Sequence, residues 1–385
     1  MNSLESEIEP ETGTETETAA EPLLKATDLQ KYFETETGLT ERILGNQQYV
    51  KAVDGVDLSI DRQETVGVVG ESGCGKTTLG RTLSKLYEPT GGTIEFDGED
   101  ITDLSSKELR ELRSRIQVIF QDPLSSLNPR KTVGEILGKP LEIHDIATGE
   151  AKRERVAELL EEVGLQPSHA SRYPHEFSGG QRQRIGIARA ISIEPDLIIA
   201  DEPVSALDVS VQAQIINMMK RLQRKYDLSY VFIAHDLSVV KHISDRVMVM
   251  YLGNIVEQGP KDAIFNNPQH PYTRALLSSI PTIDETPEKR RTALQGTPPS
   301  PIDPPSGCPF STRCPEYIGP ECSDEHPELE TVADKPGSID APEDVPTILE
   351  EYESPESHHA ACHWLERSGD ERWSHEAPAI GERGE

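Results

Sequence analysis

The chain has 385 residues, with 38 Lys and Arg against 68 Asp and Glu, a formal net charge of −30. That length allows a core domain and a second, smaller unit. The charge argues against a nucleic-acid-binding surface, which needs clustered Lys and Arg, and against electrostatic docking on anionic lipid.

The acid is concentrated at the ends. Residues 1–22 hold seven Glu and no Lys or Arg, and residues 315–385 hold 20 acids against four bases. Such a balance suits solubility at high ionic strength, so a salt-loving host is one expectation and a merely acidic tail the other. Residues 1–22 read as a disordered acidic tail. They lack the basic and apolar segments of a signal peptide. No apolar run approaches the ~20 residues of a membrane span, so the chain is expected in the cytoplasm.

From Leu23 to about Phe265, short β-branched runs alternate with helical patterns, the mark of an α/β domain. The expected strands are Thr65–Val69, Ile116–Phe120, Leu197–Ala200, Tyr230–Ala234 and Val247–Tyr251. Several are apolar throughout, as parallel strands covered on both faces are. Residues 122–178 have helical content, with Lys152–Val163 clearly amphipathic, but no strong strand; they read as a helical insertion. Beyond Asn266 the texture changes. Residues 281–346 are rich in Pro and Gly, with turn signals such as Gly296-Thr297-Pro298-Pro299. Residues 366–385 form a second acidic tail.

The run Gly70-Glu71-Ser72-Gly73-Cys74-Gly75-Lys76-Thr77 matches G-x-x-x-x-G-K-[ST]. An apolar strand precedes it and a helical pattern, Thr78–Leu86, follows. Its glycines let backbone N–H groups converge on phosphate oxygens. Lys76 supplies a point charge to the β- and γ-phosphates, Thr77 a hydroxyl to Mg²⁺, and the helix N-terminus its dipole. Cys74 stands at a variable position of the loop. Further on, the buried strand Leu197–Ala200 ends in two acids. Asp201 is expected to hold Mg²⁺, directly or through water, and Glu202 to polarise the attacking water.

The run from Phe177 to Ala190, FSGGQRQRIGIARA, resembles the signature motif of ATP-binding cassette (ABC) ATPases. The resemblance implies an ABC-type P-loop fold: a mostly parallel core sheet, N-terminal antiparallel strands, the helical insertion and a small irregular Cys-rich C-terminal region. It also implies two cassettes sandwiching two ATP molecules. Ser178, Gly179, Gly180 and Gln181 would then face the partner's nucleotide from a helix N-terminus. Gln121 matches the Q-loop glutamine, which contacts Mg²⁺ and water. Ser205, Ala206, Leu207 and Asp208 match the D-loop at the dimer interface. His235 matches the switch histidine that contacts the γ-phosphate and orients Glu202. The aromatic that stacks on adenine is Phe33 or its neighbour Tyr32.

Three runs narrow the resemblance. Gln121–Arg130 (QDPLSSLNPR), Tyr173–Glu176 (YPHE) and His270–Leu277 (HPYTRALL) are similar to the ATPase subunits of oligopeptide and dipeptide importers. The likeness spans about residues 23–365, read as a nucleotide-binding domain over 23–265 and a C-terminal region over 266–365. It implies a subunit that energises peptide uptake, with sugar or nickel as alternative solutes. The implied partners are two transmembrane permease subunits, a second similar ATPase (a heterodimer ahead of a homodimer) and an extracellular solute-binding protein. The place is the cytoplasmic side of the membrane, held through the permease. A soluble cassette ATPase is the competing class; one cassette, no sustained heptads and the negative charge speak against it.

Four cysteines, Cys308, Cys314, Cys322 and Cys362, fall late in a stretch poor in apolar residues. Zinc ligands come in close pairs, which are missing here. A Cys₄ iron–sulfur cluster accepts wider spacing. The importer resemblance implies a [4Fe–4S] cluster here, with Zn²⁺ as the alternative and His363 as a substitute ligand; four unlinked thiols are the remaining reading. A metal would also explain how a segment without a core folds.

Overall fold

The computed structural model describes residues 21–35, 47–122, 126–279, 294, 296–333, 335 and 357–366. The two acidic tails lie almost wholly outside these, as do Pro123, Leu124 and Ser125 of the QDPLSSLNPR run and parts of the Pro-rich stretch.

Alternation builds the first sheet. In Leu24–Glu34 (β1), Leu24, Ala26 and Leu29 are buried while Lys25 and Thr27 are exposed, one face on the core and one on solvent. β1 pairs antiparallel with Tyr49–Ile60 (β2) and with Gly91–Phe96 (β4), and Glu99–Asp100 (β5) completes the order β2-β1-β4-β5.

The second sheet holds the expected strands: Thr65–Val69 (β3), Ile116–Ile119 (β6), Leu197–Asp201 (β7), Ser229–Ile233 (β8) and Arg246–Tyr251 (β9). These run parallel in the order β9-β3-β8-β7-β6. Asn254–Pro260 (β10) joins antiparallel beside β9, and two short strands, Glu330–Thr331 (β11) and His359–Ala360 (β12), continue the sheet beyond it. β3, β7 and β8 are buried at every position, which explains their unbroken apolar runs. Successive residues serve opposite faces. Leu197, Ile199, Val231 and Ile233 join one core, with β1 and with Leu79 and Leu83 of Lys76–Leu83 (α1). Ile198, Ala200, Tyr230 and Phe232 join the other. There they meet the helices Gly179–Ile191 (α5) and Val209–Tyr226 (α6).

Ser106–Arg115 (α2) leads into β6. The helical insertion follows as Val133–Ile143 (α3) and Gly149–Glu162 (α4), then two 3₁₀ turns. A capping box between Thr132 and Glu135 starts α3. Leu137, Leu141, Leu159 and Leu160 bury its inner face in the same core as α5. Leu237–Ile243 (α7) packs over β3.

The C-terminal region departs from expectation. Lys261–Asn266 (α8) leads into it; the region itself contains Pro271–Ser278 (α9) and Pro320–Asp324 (α10), and it does have a core. Phe310 is fully buried between Tyr251 of β9 and Tyr272 of α9, both at ring-centroid distances of 5.3 Å. Cys308 and Cys314 join that cluster as small apolar side chains. The [4Fe–4S] cluster and its zinc alternative on Cys308, Cys314, Cys322 and Cys362 are therefore withdrawn. Among the described residues no group of three or more His, Cys, Asp or Glu is placed to hold a metal ion. Burial pushes the Cys308 thiol up to about 11 and the Cys314 thiol well above its ordinary value. His363 does not ligate; its Nε2 meets the Glu325 carbonyl at 2.9 Å. The segment is held instead by aromatic packing and by Glu257 of β10. That fully buried carboxylate accepts the N–H groups of Gln269 and His270 at 2.6 and 2.9 Å and pairs with His358 Nε2 at 2.8 Å.

Candidate functional site

Three neighbouring parallel strands, β3, β8 and β7, end on one edge of the sheet, and each delivers site residues there. Ligands of open α/β sheets bind at this edge, outside the carboxyl ends of the strands.

After β3 the chain turns through Gly70–Gly75 into α1. A Cβ on Gly70 would lie 2.1 Å from the Met250 carbonyl oxygen, and one on Gly75 2.0 Å from that of Ala52, where the backbone is also left-handed at φ +112°. Only glycine fits at these two places. Lys76 is buried, and its Nζ donates to the carbonyls of Gly70 and Glu71, each at 2.8 Å. The ammonium is thus folded back along the loop. Cys74 is buried too, and desolvation raises its thiol pKa, with Lys76 opposing the shift.

At the end of β7, Asp201 accepts a hydrogen bond from Thr77 Oγ1 at 3.0 Å. Burial pushes its carboxyl up, while Thr77 pulls it back down. Glu202 follows in left-handed backbone, φ +46°, anchored by its N–H to the Ile233 carbonyl at 2.9 Å. That conformation is costly for a non-glycine residue, about 1–3 kcal/mol. It accompanies a carboxylate shared by two neighbours: Gln121 Nε2 donates to Oε2 at 2.8 Å, and His235 Nδ1 lies 3.2 Å from the same oxygen.

A cavity of about 360 Å³ opens over this edge. Ser72, Gly73, Cys74, Gly75, Lys76, Thr77 and Thr78 line it, together with Gln121 and Glu202. Phe33 lines it as well; Tyr32 is not among the lining residues, and its hydroxyl bonds Asp54. Lys51 and Pro301 also contribute, and sequence reasoning missed both because neither sits in a motif. The donor set fits a polyphosphate with a divalent cation. Convergent glycine backbone and an ammonium face the anion, and a hydroxyl beside a buried carboxylate of raised pKa is a hard-cation ligand pair.

The signature residues lie elsewhere. Ser178, Gly179, Gly180 and Gln181 do not line the cavity. Ser178 caps α5 by a reciprocal capping box, Gln181 N–H to Ser178 Oγ at 3.3 Å and Ser178 N–H to Gln181 Oε1 at 3.1 Å. Gly180 packs on Val211 of α6, and Gly179 approaches Leu207. Ser205, Ala206, Leu207 and Asp208 form the turn before α6, pinned by Ser205 N–H to the Glu202 carbonyl at 3.3 Å.

Residues 53–205 match the family model described as ABC transporter, and residues 256–322 the one described as oligopeptide/dipeptide transporter, C-terminal region. The oligopeptide transport ATP-binding protein AppF of Bacillus subtilis is 55% identical over 81% of this chain and 95% of its own length. The dipeptide transport ATP-binding protein DppF of Escherichia coli is 51% identical over 82% and 93%. Among solved structures, a dimeric ATP-binding cassette in a post-hydrolysis state, bound to ADP and Pi, is 29% identical with a TM-score of 0.54, over 62% of this chain and 98% of that one. The salt-loving host read from the charge is withdrawn: nothing in these matches supports it, and they describe ordinary ABC transport ATP-binding proteins.

Proposed function

The chain belongs to the ABC transporter ATPases with an oligopeptide/dipeptide-type C-terminal region, and from that premise we propose that it is the ATP-hydrolysing subunit of a peptide importer. The family uses ATP and Mg²⁺, and the donor set described above suits both. On this reading the backbone N–H groups of Gly70–Thr77 and the Lys76 ammonium bind the phosphates. Thr77, Asp201 and Gln121 would hold Mg²⁺, which supplies neutralisation of the phosphate charge. Glu202 orients the attacking water and takes its proton. Gln121 and His235 fix that carboxylate, and Phe33 stacks on the base.

The same reading assigns the features away from the cavity. Ser178–Gln181 at the start of α5 would face the nucleotide of a second, similar ATPase, and Ser205–Asp208 would meet that subunit across the interface. A heterodimer is the expected pairing. A groove of about 530 Å³ between α3 and the sheet, lined by Leu86, Val118, Phe120 and Ile143 among others, would receive a cytoplasmic helix of a permease subunit. Among the described residues no helix is long and apolar enough to cross a membrane. Attachment to the cytoplasmic face would therefore run through the two permeases, with peptides delivered by an extracellular binding protein.

The observation that carries the reading is the Glu202 carboxylate, held by Gln121 and His235 beside the phosphate loop. Glu202→Gln keeps the shape and loses the base. Phosphate release should fall by about 10²–10⁴-fold, the usual contribution of a general base. MgATP binding should persist and trap a dimer. Hydrolysis at the wild-type rate would remove Glu202 from its role.

A further inference from the structure

The phosphate loop carries a carboxylate at its second position. Left loose, Glu71 would repel a polyphosphate. The structure ties it down, and mostly from the C-terminal region. Arg313 makes two parallel bonds to it, Nη1 to Oε2 at 2.7 Å and Nη2 to Oε1 at 3.0 Å. The Glu71 N–H donates to the Tyr272 hydroxyl at 2.9 Å. The mount is rigid. The Arg313 side chain is 5% exposed, its Nη1 also donates to the Tyr251 hydroxyl at 3.2 Å, and its N–H closes a turn onto the Phe310 carbonyl at 3.0 Å. Phe310 is the residue wedged between Tyr251 and Tyr272. Glu71 is not among the residues lining the cavity, although Ser72–Thr78 are. A second tie reaches the cavity itself: the Lys51 N–H donates to the Pro301 carbonyl at 3.0 Å, and both residues line it.

We propose that Arg313 is a positioning residue for the nucleotide: by clamping the Glu71 carboxylate it lets the C-terminal region set the shape and charge of the phosphate loop. A bidentate Arg–carboxylate pair is both strong and geometrically selective, which suits it to fix a loop. The inference rests on the reading of Gly70–Thr77 as the nucleotide loop.

The test is equilibrium MgATP binding and thermal unfolding of the full chain and four variants: Arg313→Met, Arg313→Lys, Glu71→Gln and the Arg313→Met/Glu71→Gln double. Arg313→Met should weaken MgATP about tenfold, the order expected when a carboxylate freed a few ångströms from the phosphates repels them in a partly solvated site. Arg313→Lys should recover only part, because an ammonium cannot fork. The double variant should recover most of the affinity, since the loosened carboxylate is what repels the phosphates. A lowered Tm with unchanged MgATP affinity, or no rescue by Glu71→Gln, would make the pair merely structural and overturn the proposal. Should Arg313→Met not fold, Arg313→Lys with and without Glu71→Gln gives the same comparison. Wild-type protein that binds no MgATP would overturn the nucleotide loop itself, and the proposal with it.

Discussion

Two buried carboxylates mark two differently built regions. At the sheet edge Asp201 sits beside Thr77, and burial holds its pKa above the ordinary range. On β10, where the C-terminal region attaches, burial likewise pushes Glu257 up, but the His358 hydrogen bond and charge, with backbone N–H groups, pull it below that range. The first carboxyl is arranged at a cost to stability, as a site that awaits a cation would be. The second is fully satisfied and acts as a structural pin. On the proposed reading the sheet edge carries the chemistry and the C-terminal region the frame, and the Arg313–Glu71 bond joins the two.

If that division is right, the largest stability loss belongs to the C-terminal frame. Phe310→Ala empties the space between Tyr251 and Tyr272 and should cost about 3–5 kcal/mol by denaturant unfolding. Little or no loss would mean that the aromatic cluster is not what holds the segment. Glu257→Gln should follow at about 3 kcal/mol at neutral pH, because it breaks a buried pair. Its pH dependence is the sharper readout. A carboxyl of lowered pKa binds fewer protons folded than unfolded, so its stability is present above the ordinary range and lost as pH falls through it. The gap between wild type and Glu257→Gln should therefore close as pH drops below 4.5. A gap that stays constant would break the assignment.

Asp201 should behave in the opposite way. Its raised pKa means the folded state binds more protons, so its contribution to stability falls as pH rises through the carboxylate range. Asp201→Asn should leave the Mg²⁺-free chain as stable or more stable at neutral pH, while lowering Mg²⁺-dependent ATP turnover by about 10–100-fold. Titrating Tm with pH, with and without Mg²⁺, measures both. A variant that loses stability without Mg²⁺ would erase the contrast between the two regions.

Much of the sheet edge was legible because its chemistry is written in consecutive residues. Gly70–Thr77 follows an unbroken apolar strand, and Asp201 and Glu202 end another. The sequence offered Phe33 with its neighbour Tyr32 as the alternative; only Phe33 lines the cavity, and the Tyr32 hydroxyl is tied to Asp54. The C-terminal region was misread for a physical reason. A Pro-rich stretch with four cysteines looks like chain without a core, which invites a metal as the cross-link. Its core is borrowed: Phe310 packs on Tyr251 of β9 and Tyr272 of α9, partners distant in sequence. One aromatic side chain buries about 150–250 Å², a large share of what so short a segment can bury. Arg313 was missed likewise, because its meaning depends on where Glu71 lies in space.

The smallest effect tests whether the sheet half is purely chemical. Ser178 caps α5 in the free chain, so Ser178→Ala should cost about 1 kcal/mol of stability. Ser178→Asp separates that role from the proposed one. An aspartate caps a helix as well as serine and suits its positive end, so stability should return. The added charge would meet the γ-phosphate of the second subunit's nucleotide, so turnover should stay low. If Ser178→Asp restores turnover together with stability, Ser178 is a cap and nothing more, and the expected approach of α5 to a partner's nucleotide fails. If stability returns and turnover does not, the start of α5 belongs to a composite site that needs two chains.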